Sequence, residues 1–156
     1  MTIDEEVRAN FLTAQHRALV NIRYTANYLA NLQNGFMAKY DISMPQFNIL
    51  RILRGAKVAI TVNNVKERMI EKSPNTTRLM DKLVEKGLIE RWRCNEDRRV
   101  VFTEITDNGL KLLDDIDKNI EMLTVTNINL SDEEAQILSS LLDKIRVEPS
   151  THQPFI

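Results

Sequence analysis

The sequence predicts a mainly α fold that carries one small antiparallel β-hairpin. Over both ends of the 156-residue chain, apolar residues recur at steps of three, four or seven, which is the spacing of amphipathic helices. In residues 88–105 the pattern changes to two short β-prone runs around a polar segment. Gly87 stands between the helical and the strand patterns, where it can end a helix. Helices therefore dominate, and the hairpin lies between them.

A long amphipathic helix is predicted from about Asp4 to Gln33, and Gly35 is expected to mark its end. A stripe on roughly 30 residues is longer than one small domain usually needs, which indicates that part of it is buried against a partner. The residues that form this stripe are Val7, Phe11, Ala14, Ala18, Ile22, Leu29, Leu32 and Phe36.

A short helix is predicted to begin after Thr61, because the threonine side chain can accept a hydrogen bond from a free backbone N–H of the first turn. Val62, Val65 and Met69 follow at helical spacing. A turn is expected after them.

A second helix is predicted to open at Ser73 as N-cap and Pro74 as first helical residue, where the missing N–H of proline costs nothing. Leu79 and Leu83 are expected to face inward, with Met80 as a further candidate. Gly87 can adopt the left-handed conformation that ends the helix.

The segment after Gly87 predicts a hairpin. Residues 88–93 and 100–105 are the strands, and the polar residues 94–99 form the tip. A third strand is expected near Val58–Ile60. Two short helices joined by a turn and followed by a hairpin have the order of a winged helix-turn-helix, a unit that reads DNA, and the hairpin is its wing.

Two further helices are predicted after the wing. The first follows Gly109, and the second is capped by the run Ser131-Asp132-Glu133-Glu134. Residues 37–105 are thus predicted to be the winged helix-turn-helix, here named the reader, and residues 1–36 and 106–146 a helical dimerisation region. Residues 147–156 are predicted to be a flexible tail. The apolar residues of the two helices are Leu110, Leu113, Ile116, Ile120 and Leu123, then Leu138, Leu141, Leu142 and Ile145.

Several motifs agree in order and spacing with those of one family. They are Ile42-Ser43-Met44-Pro45-Gln46-Phe47-Asn48-Ile49-Leu50, the segment from Leu83 to Arg91, Asp97-Arg98-Arg99, and Ile105-Thr106-Asp107-Asn108-Gly109. In them the chain resembles the MarR family of bacterial regulators, whose members carry a D-x-R pair in the wing and then an L-T-x-x-G run. Ile105 stands where leucine is usual, which leaves the hydrophobic role intact.

The resemblance implies a DNA-binding transcriptional regulator, most commonly a repressor. It also implies that N- and C-terminal dimerisation helices of two protomers interlock into a homodimer. A two-fold dimer would place its recognition helices about one turn of B-DNA apart, roughly 34 Å, and would bind a pseudo-palindromic operator in double-stranded DNA.

The charge distribution agrees with a DNA-facing middle. The net charge of the chain is −1, but residues 51–99 contain 13 Lys or Arg against 7 Asp or Glu. Residues 100–156 contain 4 against 11, and residues 1–50 contain 4 of each. Basic side chains gain affinity by releasing counterions from phosphates, and an acidic remainder is kept away from the duplex. Ordinary solvated helix surfaces are the alternative explanation.

The predicted DNA contacts lie on the second central helix and the wing. Asparagine can read adenine and arginine can read guanine in the major groove, whereas threonine and lysine suit phosphates. Thr76 is the weakest of these candidates, because it can also pack inward. The helix residues left to project are Asn75, Thr76, Thr77, Arg78 and Lys82.

In the wing, the resemblance implies that Arg99 reaches into the minor groove while Asp97 hydrogen-bonds its guanidinium. Arg98 is expected to contact a phosphate, and Arg91 and Arg93 have a similar or merely solvated role. An exposed ion pair at a hairpin tip is the alternative for Asp97 and Arg99.

The resemblance also implies a small aromatic or phenolic effector, bound between the dimerisation helices and the reader. An anion could pair with Arg17 or Arg23, but aromatic and methionine side chains at helical spacing are mostly core. The candidate residues are Arg17, Tyr24, Tyr28, Met44 and Phe47, with Phe36, Met37 and Trp92 as further lining.

Other classes find little support. No phosphate-loop or G-x-S-x-G run occurs, so no enzyme and no cofactor are expected. His16, His152 and Cys94 are too scattered for a metal site, and a lone Cys94 offers a weak case for redox sensing. No apolar run approaches the roughly 18 residues of a membrane span, and residues 1–10 do not resemble a signal, so the cytoplasm is the predicted compartment. A winged-helix protein–protein interaction module is the serious alternative, but it has no need for Asp97, Arg98 and Arg99.

Overall fold

The computed structural model describes residues 1–70, 75–119 and 129–147, and these are mostly helical with one small three-stranded sheet. This is the predicted fold class. The elements, in chain order, are α1 (Ile3–Val7), α2 (Ala14–Met37) with a short 3-10 helix (Ala38–Tyr40), α3 (Met44–Ala56), β1 (Ile60–Thr61), α4 (Val62–Arg68), α5 (Thr76–Glu85), β2 (Ile89–Arg93), β3 (Val101–Ile105), α6 (Asp107–Asn119) and α7 (Asp132–Ile145).

Three helices begin at the polar caps that the sequence predicts. The hydroxyl of Ser43 accepts from the backbone N–H of Gln46, and that of Thr61 accepts from Asn64 at 3.1 Å. Ser131 and Glu134 form a capping box at the start of α7. These side chains satisfy backbone donors that the first turn of a helix leaves free. Ser73 and Pro74, the predicted start of the second reader helix, lie outside the described residues.

The prediction of a single N-terminal helix is wrong, because the structure has two helices there. Arg8 adopts a left-handed conformation (φ 50°) and ends α1, and Thr13 opens α2 by accepting from the backbone N–H of His16. Gly35 does not end α2, which continues to Met37. The apolar pattern gave no sign of this break, because the steps of three and four continue across residues 8–13, where the backbone is not helical.

The sheet is antiparallel with strand order β1-β3-β2. Ile89 pairs with Ile105 at the base of the wing, and Arg93 pairs with Val101 nearer the tip. Ile60 of β1 pairs with Thr103 on the other side of β3, close to the predicted third strand. Gly87 has φ +66° and joins α5 to β2 in the left-handed conformation expected of it.

The core of the reader is built on α3. Its Ile49 and Leu50 are fully buried against Met80 and Leu83 of α5, and Leu113 and Ile116 of α6 complete the same cluster. On α5 the buried positions are Thr76, Met80 and Leu83, whereas Leu79 is only partly buried. The predicted inward positions Leu83 and Met80 are therefore confirmed, Leu79 lies at the edge of the core, and Thr76 is an additional buried position.

The wing and α6 meet at a close backbone contact. Helix α6 begins at Asp107, so Gly109 lies inside the helix rather than before it. The hydroxyl of Thr106 accepts from the N–H of Gly109 at 3.1 Å and donates to the carbonyl oxygen of Gly87 at 2.7 Å. A Cβ at Gly109 would lie 2.3 Å from the Leu88 carbonyl oxygen, so this position requires glycine. The Ile105–Gly109 motif thus joins the end of α5, the wing base and α6.

The remaining helices are much more open. Leu19 and Tyr28 of α2 are about half exposed, and most of α7 is exposed. The predicted apolar residues Ile120 and Leu123, and the tail from residue 148 onward, lie outside the described residues. Among the helices that the structure describes, none is long and apolar enough to cross a membrane. Four apolar side chains of α7 are 45–57% exposed, namely Ile137, Leu138, Leu141 and Ile145.

Candidate nucleic-acid interface

Helix α5 is held on the reader by contacts at several points along its length. Met80 and Leu83 are buried in the core, and the buried Gln46 of α3 donates from Nε2 to the Leu79 carbonyl oxygen at 3.4 Å. At the C-terminal end of the helix, Lys86 forms an ion pair with Asp41. Because α5 is anchored in this way, the direction of its outer face is set by α3.

The outer face of α5 carries three of the eight residues predicted to contact DNA. Thr77, Arg78 and Lys82 are exposed, and so is Asn75 directly before the helix. Thr76 is the exception. Only 1% of it is exposed, and its hydroxyl donates to the Met69 sulfur at 3.5 Å, so Thr76 packs between α4 and α5 instead of facing a ligand.

The tip of the wing is a tight turn organised by Asp97. The N–H of Val100 donates to the Asp97 carbonyl oxygen at 2.9 Å, and the N–H of Arg99 donates to the Asp97 carboxylate at 2.9 Å. This is an Asx turn, in which an aspartate side chain accepts from the backbone two residues on. The predicted hydrogen bond to the Arg99 guanidinium is therefore not the one formed, because the nearer backbone amide takes the carboxylate. Arg98 and Arg99 are exposed.

A basic cleft of about 490 Å³ lies between α4, α5 and the wing. It brings together Thr77 of the recognition helix and Arg99 of the wing, which the sequence assigned to the same task without showing that they are neighbours. Three cations and no carboxylate line it. The full lining is Thr61, Val62, Asn63, Lys66, Thr77, Arg91, Arg99, Val100 and Val101.

Sequence reasoning missed the contribution of α4 to this cleft. Asn63 is exposed and Lys66 partly exposed on α4, and both line the cleft beside Val62. The helical spacing that identified the buried residues could have identified these two as outward positions. It could not show that the wing folds back to meet them.

One ion pair connects the recognition helix to the wing. Asp81 of α5 pairs with Arg91 of β2, and the Arg91 side chain is 19% exposed whereas that of Asp81 is 55% exposed. Arg91 Nε and the hydroxyl of Thr103, which face each other across β2 and β3, are buried without a hydrogen-bond partner among the described residues. Arg91 is thus neither a solvated side chain nor a plain surface cation.

The predicted effector residues are divided between different surroundings. Phe47 is buried in the core and Met44 packs against it, whereas Tyr28 is 55% exposed on α2. The Arg17 guanidinium pairs with Asp4 at 2.6 Å, and its hydrogen bonds hold the pKa of Asp4 below the usual 3.8. The Tyr24 hydroxyl donates to Glu6 at 2.7 Å, which raises the pKa of Tyr24. Carboxylates of α1 therefore already hold two of the three polar side chains of the predicted set, Arg17 and Tyr24.

The arrangement of the described residues does not support a metal site or a redox role for Cys94. In residues 1–70, 75–119 and 129–147, no group of three or more His, Cys, Asp or Glu side chains could hold a metal ion. Cys94 is a partly buried free thiol at the entrance to the wing tip. His152 lies outside the described residues.

Comparison with known proteins gives a consistent picture. The model of the family described as "Transcriptional regulator SarA/Rot" matches residues 31–116, more than half of the chain. The HTH-type regulator YfiV of Bacillus subtilis is 36% identical over 74 residues, which are 47% of this chain and 46% of that protein, so the chain spans about half the length of this relative. MhqR of the same organism is 29% identical over 114 residues, covering 72% of this chain and 77% of that protein.

A solved structure gives the same result in three dimensions. A cysteine-to-serine variant of MarR from Escherichia coli, complexed with operator DNA, superposes with a TM-score of 0.72 at 26% sequence identity. The match covers 88% of this chain and 99% of that one.

Proposed function

The chain belongs to the SarA/Rot and MarR group of winged-helix transcriptional regulators, which bind DNA and are not enzymes, and from this premise we propose how it engages an operator. Two copies bind one pseudo-palindromic site, each with α5 in the major groove and Arg99 in the minor groove, and they repress the adjoining gene. The observation that carries this proposal is the cleft shared by Thr77 of α5 and Arg99 of the wing.

The electrostatics of that cleft favour a phosphate backbone as its occupant. Lys66 and Arg99 line it together with the hydroxyl-bearing Thr77 and the amide-bearing Asn63, while the charge of Arg91 is paired with Asp81. Protein–DNA interfaces place most of their hydrogen bonds on phosphate and sugar, and these contacts fix the register of the protein on the duplex. We assign Asn63, Lys66 and Thr77 to the backbone, so base reading falls to Asn75 and Arg78.

The homodimer is supported by the surface of the outer helices, a name used here for α2 and α7. The half-exposed Leu138, Leu141 and Ile145 of α7 lie on one helix at spacings of three and four. Apolar surface of this kind gains about 25 cal/mol for every Å² removed from water, and a second copy of the chain supplies the cover. The predicted division into reader and dimerisation region is part of this proposal.

The effector component of the proposal rests on the family resemblance. A small aromatic or phenolic molecule that binds between the outer helices and the reader would favour a different spacing of the two α5 helices and so weaken operator binding. In the structure, an anion aimed at Arg17 would have to displace Asp4. The cytoplasm is the proposed place of action, where such an operator would lie.

The wing is tested by the substitution Arg99→Ala. The probe is the duplex most enriched when the unmodified protein is used to select from a library of random sequences. We expect Arg99→Ala to weaken binding of this duplex by about 1 to 3 kcal/mol in a gel shift, because it removes the minor-groove contact. Arg51→Ala is the matched control, since it removes an exposed arginine of α3 that lies outside the cleft, the wing and the proposed dimerisation region.

Salt dependence provides the second measurement. The logarithm of the binding constant should fall with the logarithm of salt concentration at a slope of about 0.9 per phosphate contacted, and a dimer contacts many. Equal affinities for Arg99→Ala and the unmodified protein would refute the minor-groove contact. A flat salt dependence would favour the protein–protein interaction module.

A further inference from the structure

We propose that the Asp81–Arg91 ion pair is a positioning contact that sets the wing relative to the recognition helix, and that Arg91 serves DNA binding through Asp81 rather than by holding a phosphate itself. The inference rests on the proposed function, since it concerns how the two DNA-contacting elements are kept in register. Neither residue belongs to the set of contacts assigned above to bases or to the minor groove.

The position of the pair suits this role. Asp81 lies on the exposed side of α5, next to Lys82 and one turn after Arg78. Arg91 is the central residue of β2 and is paired with the buried Thr103 of β3. It therefore lies on the face of the sheet that is turned toward the helices of the reader. Among the ion pairs of the described residues, this is the one that joins α5 to the wing.

The two strands of the wing are held differently. At the base, Leu88 and Ile89 are buried, and the N–H of Thr106 donates to the Leu88 carbonyl oxygen at 3.1 Å. Halfway along the hairpin, β3 is paired with β1 through Thr103, whereas β2 is the edge strand of the sheet. Beyond Arg91, β2 is exposed at Trp92 and Arg93 and leads into the tip that carries Arg99. A contact halfway along the edge strand restrains the side of the hairpin that β1 does not hold. Asp81 supplies that contact from the helix with which Arg99 must act in concert.

The charges support the same conclusion. A carboxylate on a DNA-facing helix repels phosphates unless a cation neutralises it. A guanidinium that is largely buried needs a compensating partner, because desolvation of an unpaired charge is costly. The ion pair meets both requirements, and in doing so it occupies Arg91 with a protein carboxylate.

The test compares two substitutions that each remove one negative charge from α5. If charge alone mattered, both Asp81→Asn and Glu85→Gln would bind the selected duplex somewhat more tightly. If Asp81 positions the wing, Asp81→Asn should bind on the order of tenfold more weakly, as expected for loss of a coupled pair. Glu85 is exposed at the end of α5 and joins no ion pair among the described residues, so Glu85→Gln should change affinity by no more than about twofold.

A double-mutant cycle separates the two roles of Arg91. Arg91→Gln and Asp81→Asn should each weaken binding, and the double variant should be no weaker than the worse single one, because both break the same contact. The salt slope should stay at the unmodified value in all three variants. Additive losses, together with a slope lowered by about 0.9 per protomer in Arg91→Gln alone, would show a direct phosphate contact and overturn the proposal.

A third comparison excludes a general loss of stability as the cause. In the Asp81→Asn background, Arg99→Ala should cost clearly less than it costs in the unmodified protein, because a displaced wing no longer delivers Arg99 to the groove. An unchanged cost of Arg99→Ala would mean that Asp81 does not act through the wing. If circular dichroism shows that Asp81→Asn does not fold, Asp81→Glu replaces it as the test variant. Asp81→Glu keeps the charge, and we expect it to weaken duplex binding by less than the roughly tenfold expected for Asp81→Asn. Unchanged affinity of Asp81→Glu would refute the inference.

The same data distinguish this inference from the proposed function. If the unmodified protein selects no duplex, the proposed function fails and the ion pair has no wing to position on DNA. If it does select one and Arg99→Ala weakens binding while Asp81→Asn does not, only the positioning role fails.

Discussion

The reader and the outer helices both carry apolar helix faces, but the two regions bury these faces to different extents. In the reader, Leu50, Met80 and Leu83 are fully buried by residues of the same chain. In α7, Leu138 and Leu141 are 45% and 53% exposed, although their spacing is that of a helix face made to be buried. The comparison teaches that the geometry of the proposed DNA-contacting surface is a property of one protomer. The stability of the outer helices depends on what covers them.

The charges divide along the same line. Residues 51–99, which hold most of the reader, carry an excess of basic side chains, and residues 100–156 carry an excess of acidic ones. Even so, Arg54 of α3 pairs with Asp117 of α6 at 2.7 Å, so some of the acidic remainder serves to attach α6 to the reader. The acidic part therefore does more than avoid the duplex.

The largest contrast is expected from two equal truncations. Leu50→Ala removes a fully buried side chain from the reader and should lower the free energy of unfolding by about 2 to 5 kcal/mol, because it leaves a cavity. Leu141→Ala should lower the unfolding free energy of the protomer by no more than about 0.5 kcal/mol, yet raise the concentration at which the chain dimerises. Chemical denaturation and sedimentation measure the two quantities. Equal losses of stability at low protein concentration would erase the distinction.

Two glycines provide a smaller contrast of opposite sign. Gly109→Ala should destabilise the reader by about 1 to 3 kcal/mol, because its Cβ would lie 2.3 Å from the Leu88 carbonyl oxygen. Gly35→Ala lies inside α2 with nothing within 4 Å of the new Cβ, so it should stabilise by about 0.5 to 1 kcal/mol through helix propensity. Thermal melts of both variants decide the point. A stabilising Gly109→Ala would mean that α6 can move away from the wing base at no cost.

The smallest effect concerns the attachment of α1 to α2. The hydrogen bonds from Arg17 lower the pKa of Asp4 in the folded protein below 3.8, so their contribution is present above that value and is lost as the pH falls through the lowered pKa. We expect the methyl resonances of Ile3, which is buried at the start of α1, to shift in acid before those of Leu50 in the reader. In Asp4→Asn this early transition should be missing. If it persists, the ion pair is not what holds α1.

Local signals in the sequence predicted much of the fold. The sequence identifies Thr61 and Ser131 as caps because their side chains can accept from the first turn of the helix that follows, and Gly87 as a helix end because glycine adopts the left-handed conformation. The break between α1 and α2 was missed, since it depends on Arg8 adopting a left-handed conformation that no residue type there demands. Gly35 was misplaced as a helix end because α2 tolerates a glycine in its interior.

The candidate site was predictable in composition but not in arrangement. The wing motif marked Asp97 and Arg99, and the structure shows that the carboxylate organises the backbone of the turn rather than the guanidinium. Neither Lys66 beside Arg99 nor Asp81 beside Arg91 could be foreseen, because both contacts depend on the angle at which the wing packs against the helices.

The central claim is that each protomer folds its own reader and that the outer helices join two protomers. The selection from random duplexes tests this claim most directly. The account predicts that the enriched sequences contain two inverted half-sites whose centres lie about 10 base pairs, one helical turn, apart. Enrichment of a single half-site, or of half-sites without fixed spacing, would contradict it.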